Sequence, residues 1–82
     1  MISRAELNKA FSRVLRDLRE DHNINQGELA EQSNLQRTYI SQLERKQKHP
    51  SLETLFKICS VFEIKPSEFV KLMERELEIL ER

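Results

Sequence analysis

Six polar residues between positions 36 and 45 have side chains that hydrogen-bond readily to DNA bases and phosphates. They are Gln36, Arg37, Thr38, Ser41, Gln42 and Arg45. Two apolar residues among them, Ile40 and Leu43, have the spacing of one helix face, which predicts a helix that begins near Gln36 and buries a narrow stripe. The polar residues then lie off the buried stripe. Long polar side chains near the start of a solvent-facing helix suit base edges in the major groove.

A second short helix is predicted just before this segment, joined to it by a tight turn at 33–35. Asn25 followed three residues later by Glu28 is the pattern of a capping box, so this helix begins at Gln26. Ala30 is small enough to let two steeply crossing helices approach closely. Asn34 stands where a helix often ends in the left-handed conformation, which Asn tolerates. The two segments therefore predict a helix-turn-helix.

The rest of the chain predicts three further helices. The first runs from about Arg4 to Asp21 after a capping box at Ser3, the fourth follows a cap at Ser51, and the fifth runs from Pro66 to Arg82. The 82 residues include one Gly and two Pro, and 34% are charged. This composition favours an all-α, compact five-helix bundle with residues 1–82 as one domain.

Apolar residues at helical spacing predict the core. In the first helix they are Leu7, Phe11, Val14, Leu15 and Leu18, and in the fourth they are Leu52, Leu55, Phe56, Cys59 and Phe62. Cys59 is expected to be a buried thiol, since a lone cysteine cannot form an internal disulfide. The opposite face of the first helix carries Lys9, Arg13, Arg16 and Arg19. These are interpreted as solvated side chains, with phosphate contacts as the alternative.

The predicted fifth helix carries more apolar surface than a terminal helix can bury in so small a domain. Its apolar residues are Phe69, Val70, Leu72, Met73, Leu77, Ile79 and Leu80. We expect residues 66–82 to form a homodimer interface through Phe69, Met73, Leu77 and Leu80. The alternatives are that the whole face packs on the first helix, or that it binds another protein.

The chain is neutral overall, with 14 basic and 14 acidic residues, but its charges are segregated. Residues 36–49 contain four basic residues and one acid, a local charge of +3, whereas residues 74–82 contain four acids and two arginines, a local charge of −2. Phosphate neutralisation supplies non-specific affinity for DNA. A basic surface opposite an acidic end therefore suits a domain that docks on DNA with its other end turned away.

Other functional classes find little support in the residues. His22 and His49 are isolated, no Gly-rich phosphate loop is present, and no Cys/His spacing suits a metal. We therefore expect no enzymatic activity, no cofactor and no small-molecule ligand. No signal peptide or membrane-spanning run is recognisable, so a cytoplasmic protein is expected.

Three strings of residues carry a family resemblance. They are Asn-Gln-x-Glu-Leu-Ala at 25–30, Arg-Thr-Tyr-Ile-Ser-Gln-Leu-Glu-Arg at 37–45 and Pro-Ser-Leu-Glu-Thr-Leu at 50–55. They resemble the XRE family of helix-turn-helix regulators over roughly residues 11 to 70. The string Leu-x-Arg-Thr-Tyr-Ile-Ser at 35–41 also resembles the controller proteins of restriction–modification systems. This resemblance implies a homodimer that binds double-stranded DNA at a pseudo-palindromic operator. An antitoxin-like protein-interaction module is the alternative function.

The resemblance also implies roles for individual residues. Arg37 would bind a guanine, with phosphate contact alone as its alternative. The other base-contacting candidates are Gln36, Ser41 and Gln42. Backbone contacts would come from Gln26, Thr38, Tyr39, Arg45, Lys46 and Lys48, with Tyr39 equally placed for the core. Glu44 is expected to pair with an arginine. Asn34 and Lys46 occupy positions where the family commonly has Gly, and Lys46 leaves the path of the next loop open.

Overall fold

The computed structural model describes residues 1–80, within which it contains five helices and no strand. They are α1 (Arg4–Asp21), α2 (Gln26–Ser33), α3 (Arg37–Glu44), α4 (Leu52–Phe62) and α5 (Pro66–Leu80). The all-α prediction is confirmed, and each helix begins within one residue of its predicted start. The fifth helix was predicted to extend to Arg82, but residues 81 and 82 lie outside the described part of the chain. The side chain of Leu80, predicted to lie in a dimer interface, is also outside it.

The predicted caps explain where three helices begin. In each case a side-chain oxygen accepts a hydrogen bond from the backbone N–H three residues later, at 3.1 Å for Ser3, 2.8 Å for Asn25 and 3.1 Å for Ser51. Each such cap satisfies a backbone donor that has no partner within the helix and contributes about 1 kcal/mol. The capping boxes predicted at Ser3 and Asn25 are both complete.

Left-handed residues end the helices or the turns that follow them. They are Asn23, Asn34, Lys46 and Glu63, with φ of 54°, 58°, 63° and 55°. In all four turns the next residue donates its N–H to the carbonyl five residues earlier, as Leu35 does to Ala30 at 2.9 Å and Gln47 to Gln42 at 2.9 Å. The prediction for Asn34 is confirmed. Lys46 adopts the backbone conformation that Gly takes easily, so the chain turns sharply after α3.

Replacing Glu63 with Gly should stabilise the protein by about 0.5 to 1 kcal/mol. Glu63 is exposed, and a left-handed residue with a Cβ is strained by about 1 to 2 kcal/mol, part of which the entropy of an unfolded Gly offsets. Urea denaturation measures the difference. Glu63→Ala is the matched control, because it removes the same carboxylate but keeps the Cβ. An equal gain in both variants would assign the effect to charge.

The core lies where α1 crosses the other helices. Leu15 of α1, Leu29 of α2, Ile40 of α3 and Ile58 of α4 are fully buried in one cluster. Helix α5 lies along α1, where the rings of Phe11 and Phe69 have centroids 5.0 Å apart. These contacts hold α2 and α3 against one face of α1 and leave the outer side of α3 uncovered.

The structure confirms that Cys59 is buried and corrects the predicted face of α4. Burial raises the pKa of the Cys59 thiol to about 11. Leu52 and Phe56 were predicted in the core, yet they are 76% and 59% exposed. The buried stripe of α4 instead includes Thr54 and Ile58, which rotates the helix and places Leu52 and Phe56 beside the stripe.

The prediction that Phe69 and Leu77 bind a second chain is wrong. Both side chains are buried within the protein itself, and Met73 is half-buried against the core. The alternative interpretation was that the apolar face of α5 packs on α1, and most of the apolar residues of this helix are buried in this way. None of the helices in residues 1–80 is long and apolar enough to cross a membrane.

Candidate DNA interface

Helix α3 presents its polar residues outward because its few apolar residues anchor it from the other side. Ile40 and Leu43 are buried against α1 and α2, whereas Gln36, Arg37 and Thr38 are exposed at the start of the helix. About one turn further along, Ser41 and Gln42 are half-buried. Of the four predicted base-contacting residues, Gln36 and Arg37 are exposed, and Gln36 and Gln42 line one concavity.

The carboxylate of Glu44, the last residue of α3, is the central polar group of the interior. Its side chain is 2% exposed. Arg19 of α1 donates to it with both Nε, at 2.7 Å, and Nη2, at 2.9 Å. Gln26, the first residue of α2, donates its amide Nε2 to Glu44 Oε1 at 3.2 Å, and Arg16 donates Nη2 to the Glu44 carbonyl at 3.2 Å. One residue therefore ties the end of α3 to α1 and to the start of α2.

This network confirms the structural role expected of Glu44 and revises the one expected of Arg19. Arg19 was placed on the solvated face of α1, but its side chain is only 16% exposed. Its Nη1 also donates to the carbonyl of Ile24 at 3.1 Å, and the hydrogen bond to Glu44 raises the pKa of Arg19 above its ordinary value. Arg19 lies four residues after Leu15, and this spacing on the buried face of α1 was the signal in the sequence.

Replacing Arg19 with Ala should destabilise the fold by about 3 kcal/mol, because it leaves the buried Glu44 carboxylate without its main partner. Chemical denaturation measures the loss. Arg13→Ala is the matched control on the same helix, since Arg13 forms only an exposed pair with Asp17 at 3.4 Å, worth less than about 0.5 kcal/mol. Losses of similar size in both variants would contradict the importance of the buried network.

An open concavity joins α3 to the loop that follows it. Its volume is about 380 Å³, and it is lined by Asn34, Leu35, Gln36, Thr38, Tyr39, Gln42 and Lys48. Lys48 comes from the loop after α3, yet it faces the same space as Gln36 and Gln42. A cation beside hydrogen-bonding side chains is the combination that pairs a phosphate contact with a base contact.

Tyr39 joins the outer surface to the core. Its ring is half-buried against the core cluster, and its hydroxyl lies 3.1 Å from Thr54 Oγ1 of α4. The interpretation of Tyr39 as a core residue therefore describes its ring. Tyr39 also lines the concavity, and its hydroxyl has hydrogen-bonding capacity beyond the bond to Thr54.

The start of α2 lies beside Arg37. A Cβ placed on Gly27 would be 3.7 Å from Arg37 Nη1 and 3.3 Å from Asn25 Oδ1, which caps the helix. The glycine therefore leaves room for the capping side chain of Asn25, whereas a Cβ would be at ordinary contact distance from Arg37. The side-chain amide of Gln26 is held by Glu44, so a phosphate contact at this helix start falls to the backbone N–H groups of the first turn.

Two of the predicted phosphate-contacting residues lie apart from the concavity that contains Lys48. Arg45 is exposed at the very end of α3. Lys46 lines a separate concavity with Lys9, Arg13 and Arg16 of α1 and with Glu76 of α5. Lys46 and Lys48, although two residues apart, therefore line different concavities, and Lys48 is the one that shares a concavity with residues of α3.

The site has the groups needed to bind a polyanion with a patterned surface. Arg37 and Lys48 supply positive charge, Gln36 and Gln42 supply both donors and acceptors, and the first turn of α2 supplies backbone donors. In the part of the chain that the structure describes, no group of three or more His, Cys, Asp or Glu side chains is placed to hold a metal ion. The fold and the surface define a helix-turn-helix protein whose second helix is exposed for recognition.

Sequence comparison agrees with this class. The family described as Helix-turn-helix matches residues 15–69, and the chain belongs to this family. It is a DNA-binding regulator of the XRE type rather than an enzyme. Among curated proteins, none has a sequence that matches the chain significantly.

Solved structures similar to this chain are also regulators. The clp gene regulator ClgR from Corynebacterium glutamicum is 28% identical, with a TM-score of 0.84 and coverage of 90% of this chain and 79% of that one. The restriction-modification controller protein C.AhdI from Aeromonas hydrophila is 35% identical, with a TM-score of 0.70 and coverage of 73% and 91%. The controller protein C.Esp1396I, solved as a tetramer with its natural 35-base-pair operator, is 31% identical, with a TM-score of 0.79 and coverage of 87% and 93%.

Proposed function

We propose that this regulator binds a pseudo-palindromic operator as a homodimer and reads each half-site with α3. The observation that supports this proposal most directly is the start of α3, where Gln36, Arg37 and Thr38 are exposed and where Gln36 and Thr38 line a concavity together with Lys48. A dimer places two such helices about 34 Å apart, which matches half-sites separated by one turn of DNA. We also propose that the regulator acts in the cytoplasm.

Arg37 is the residue that we propose for direct base recognition. Its guanidinium lies near the first turn of α2, at the meeting point of the two helices of the motif. The planar fork donates two parallel hydrogen bonds to guanine O6 and N7. Gln36 and Gln42 line the concavity and Ser41 lies one turn after Arg37, and all three supply secondary base contacts. Thr38 and Tyr39 also border the concavity and contact the DNA backbone.

Replacing Arg37 with Ala should cost about 1 to 3 kcal/mol of discrimination at one base pair in each half-site. The operator is first selected by the wild-type protein from random-sequence duplexes, and the variants are then titrated against every single-base change of it. Arg37→Lys is the control, because it keeps the positive charge but loses the fork. A loss that is equal for all sequences and is restored by Arg37→Lys would reduce Arg37 to a phosphate contact.

Lys48 is expected to neutralise a phosphate without contributing to base preference. In Lys48→Ala the slope of log K against log salt concentration should become smaller by about 0.9 for each half-site, while the ranking of operator variants stays the same. Lys71→Ala, which removes an exposed lysine from α5, should leave the slope unchanged. An unchanged slope in Lys48→Ala would remove the loop after α3 from the DNA interface.

We further propose that the regulated genes belong to a restriction–modification system and include the regulator's own gene. Support comes from the similarity to C.AhdI and C.Esp1396I, each of which is described as a restriction-modification controller protein. Footprinting on the DNA upstream of its own gene tests this point. Protection of two related half-sites there is the expected result, and its absence would favour a regulator of other genes or a protein-interaction module.

A further inference from the structure

A cavity of about 330 Å³ opens where the start of α1, the loop after α3 and α5 meet. We call it the α1–α5 cavity. Four of its seven lining residues have apolar side chains, namely Leu7 and Phe11 of α1, Pro50 of the loop and Met73 of α5. Protein interiors contain few voids larger than a water molecule, and the cavities that bind small molecules begin at roughly 300 Å³. The size and the walls of this cavity are therefore those of a small-molecule site.

Asn8 is a polar residue on the buried stripe of α1. It precedes Phe11 by three residues and Leu15 by seven, so it lies on the same side of the helix as these core residues. It lines the α1–α5 cavity, yet its oxygen Oδ1 is shielded from water and accepts no hydrogen bond within residues 1–80. A buried acceptor without a donor is costly, and native structures contain few of them. Because χ2 of Asn is soft, the terminal amide is able to turn this oxygen to a donor in the cavity.

The polar groups around the cavity favour an anionic ligand. Arg4 of α1 and His49 of the loop are exposed and line the cavity, and no Asp or Glu from the described residues lines it. None of the ion pairs within residues 1–80 includes Arg4, so its guanidinium is able to bind a carboxylate. The cavity thus offers apolar walls, one acceptor that lacks a donor and one cation. These groups match an amphipathic organic acid that carries a hydroxyl or N–H group.

The loop after α3 connects the α1–α5 cavity to the DNA interface. Lys48 lines the concavity beside α3, whereas the next two residues, His49 and Pro50, line the α1–α5 cavity. Both ends of this segment are held, because Gln47 donates its N–H to a carbonyl of α3 at 2.9 Å and Ser51 caps α4 at 3.1 Å. Only three residues lie between these two fixed points. A ligand that contacts His49 and Pro50 therefore restrains Lys48 in its place beside α3.

We propose that the α1–α5 cavity binds a small amphipathic organic acid, and that the bound acid strengthens operator binding by restraining Lys48. The regulatory part rests on the proposed function, whereas the binding site does not. The sequence led us to expect no small-molecule ligand, because the lining residues lie between positions 4 and 73 and only the fold brings them together. By linkage, operator DNA strengthens binding of the acid by the same factor.

The two methionines of the chain allow a direct test on the wild-type protein. Met73 lines the cavity, whereas Met1 is fully exposed at the start of the chain. The probe is indole-3-acetate, which has an apolar ring, an N–H donor and a carboxylate. In protein labelled with ¹³C-methyl methionine, this probe should shift the Met73 signal in a saturable manner and leave the Met1 signal in place. No saturable shift at millimolar probe, or equal shifts of both signals, would overturn the inference.

Replacing Asn8 with Leu tests the proposed hydrogen bond, because Leu has a similar shape but no acceptor. The variant should bind indole-3-acetate about five-fold more weakly, and should bind naphthalene-1-acetate, which lacks the N–H group, as tightly as wild type. Its urea midpoint should rise, since the orphaned acceptor is removed. Equal losses for the two acids would contradict the role of Asn8.

Replacing Arg4 with Gln tests the contact with the carboxylate. Both acids should bind more weakly to this variant, because each of them carries the carboxylate. Arg75→Gln is the matched control, since it removes an exposed arginine of α5 that does not line the cavity. A loss of equal size in the two variants would show that only the overall charge matters and would overturn a specific contact with Arg4.

Operator titration with and without the acid separates failure of this inference from failure of the proposed function. Saturating indole-3-acetate should raise the operator affinity of wild type by about five-fold, the lower end of typical coupling between sites. Lys48→Ala should bind the acid but show no such gain. Binding of the acid without a change in operator affinity, or an equal gain in Lys48→Ala, would overturn the inference. Absence of sequence-specific operator binding by wild type without the acid would instead contradict the proposed function.

Discussion

The buried carboxylate of Glu44 is the interaction on which the helix-turn-helix depends. A short α3 of eight residues has too few apolar contacts to hold its orientation by packing alone, since Ile40 and Leu43, with the half-buried ring of Tyr39, are its apolar anchors in the core. Glu44 adds charge-assisted hydrogen bonds to Arg19 and a further bond to Gln26. Because these bonds are directional, they define the angle between α2 and α3 as well as their distance. The bidentate pair is sheltered from water and salt, so this angle is insensitive to ionic strength.

The turn before α3 and the loop after it also hold this helix in place. Asn34 ends α2 in the left-handed conformation, and the backbone bond from Leu35 to Ala30 closes the turn before α3 begins. After α3, Lys46 reverses the chain and returns Lys48 to the concavity that Gln36 and Gln42 line. A sharp turn with a strained non-glycine residue thus has a functional result, because it places a cation beside the outward face of α3. Helix α3 is therefore held at both of its ends, and DNA binding needs little reorganisation of this helix.

Features governed by local chemistry were predictable from the sequence. The caps at Ser3, Asn25 and Ser51 and the turn at Asn34 depend on residues within three or four positions of one another, and all are where they were expected. The errors concern surfaces that depend on which helices become neighbours. Arg19 is a charged residue on a helix edge, and only the fold shows that Glu44 lies opposite it. Leu52 and Phe69 have similar local patterns, but α1 covers Phe69 and nothing in the described chain covers Leu52.

The division of labour within α3 has a consequence for how such a regulator changes over time. The inward residues Ile40, Leu43 and Glu44 maintain the fold, whereas Gln36, Arg37 and Thr38 are exposed and make no contribution to the buried cluster. Substitutions at the exposed positions therefore change little in the free energy of unfolding. A lineage that carries this domain is free to exchange its preferred DNA sequence in a few mutational steps, with no intermediate that is unfolded. The residues that recognise DNA can therefore be exchanged without loss of the fold.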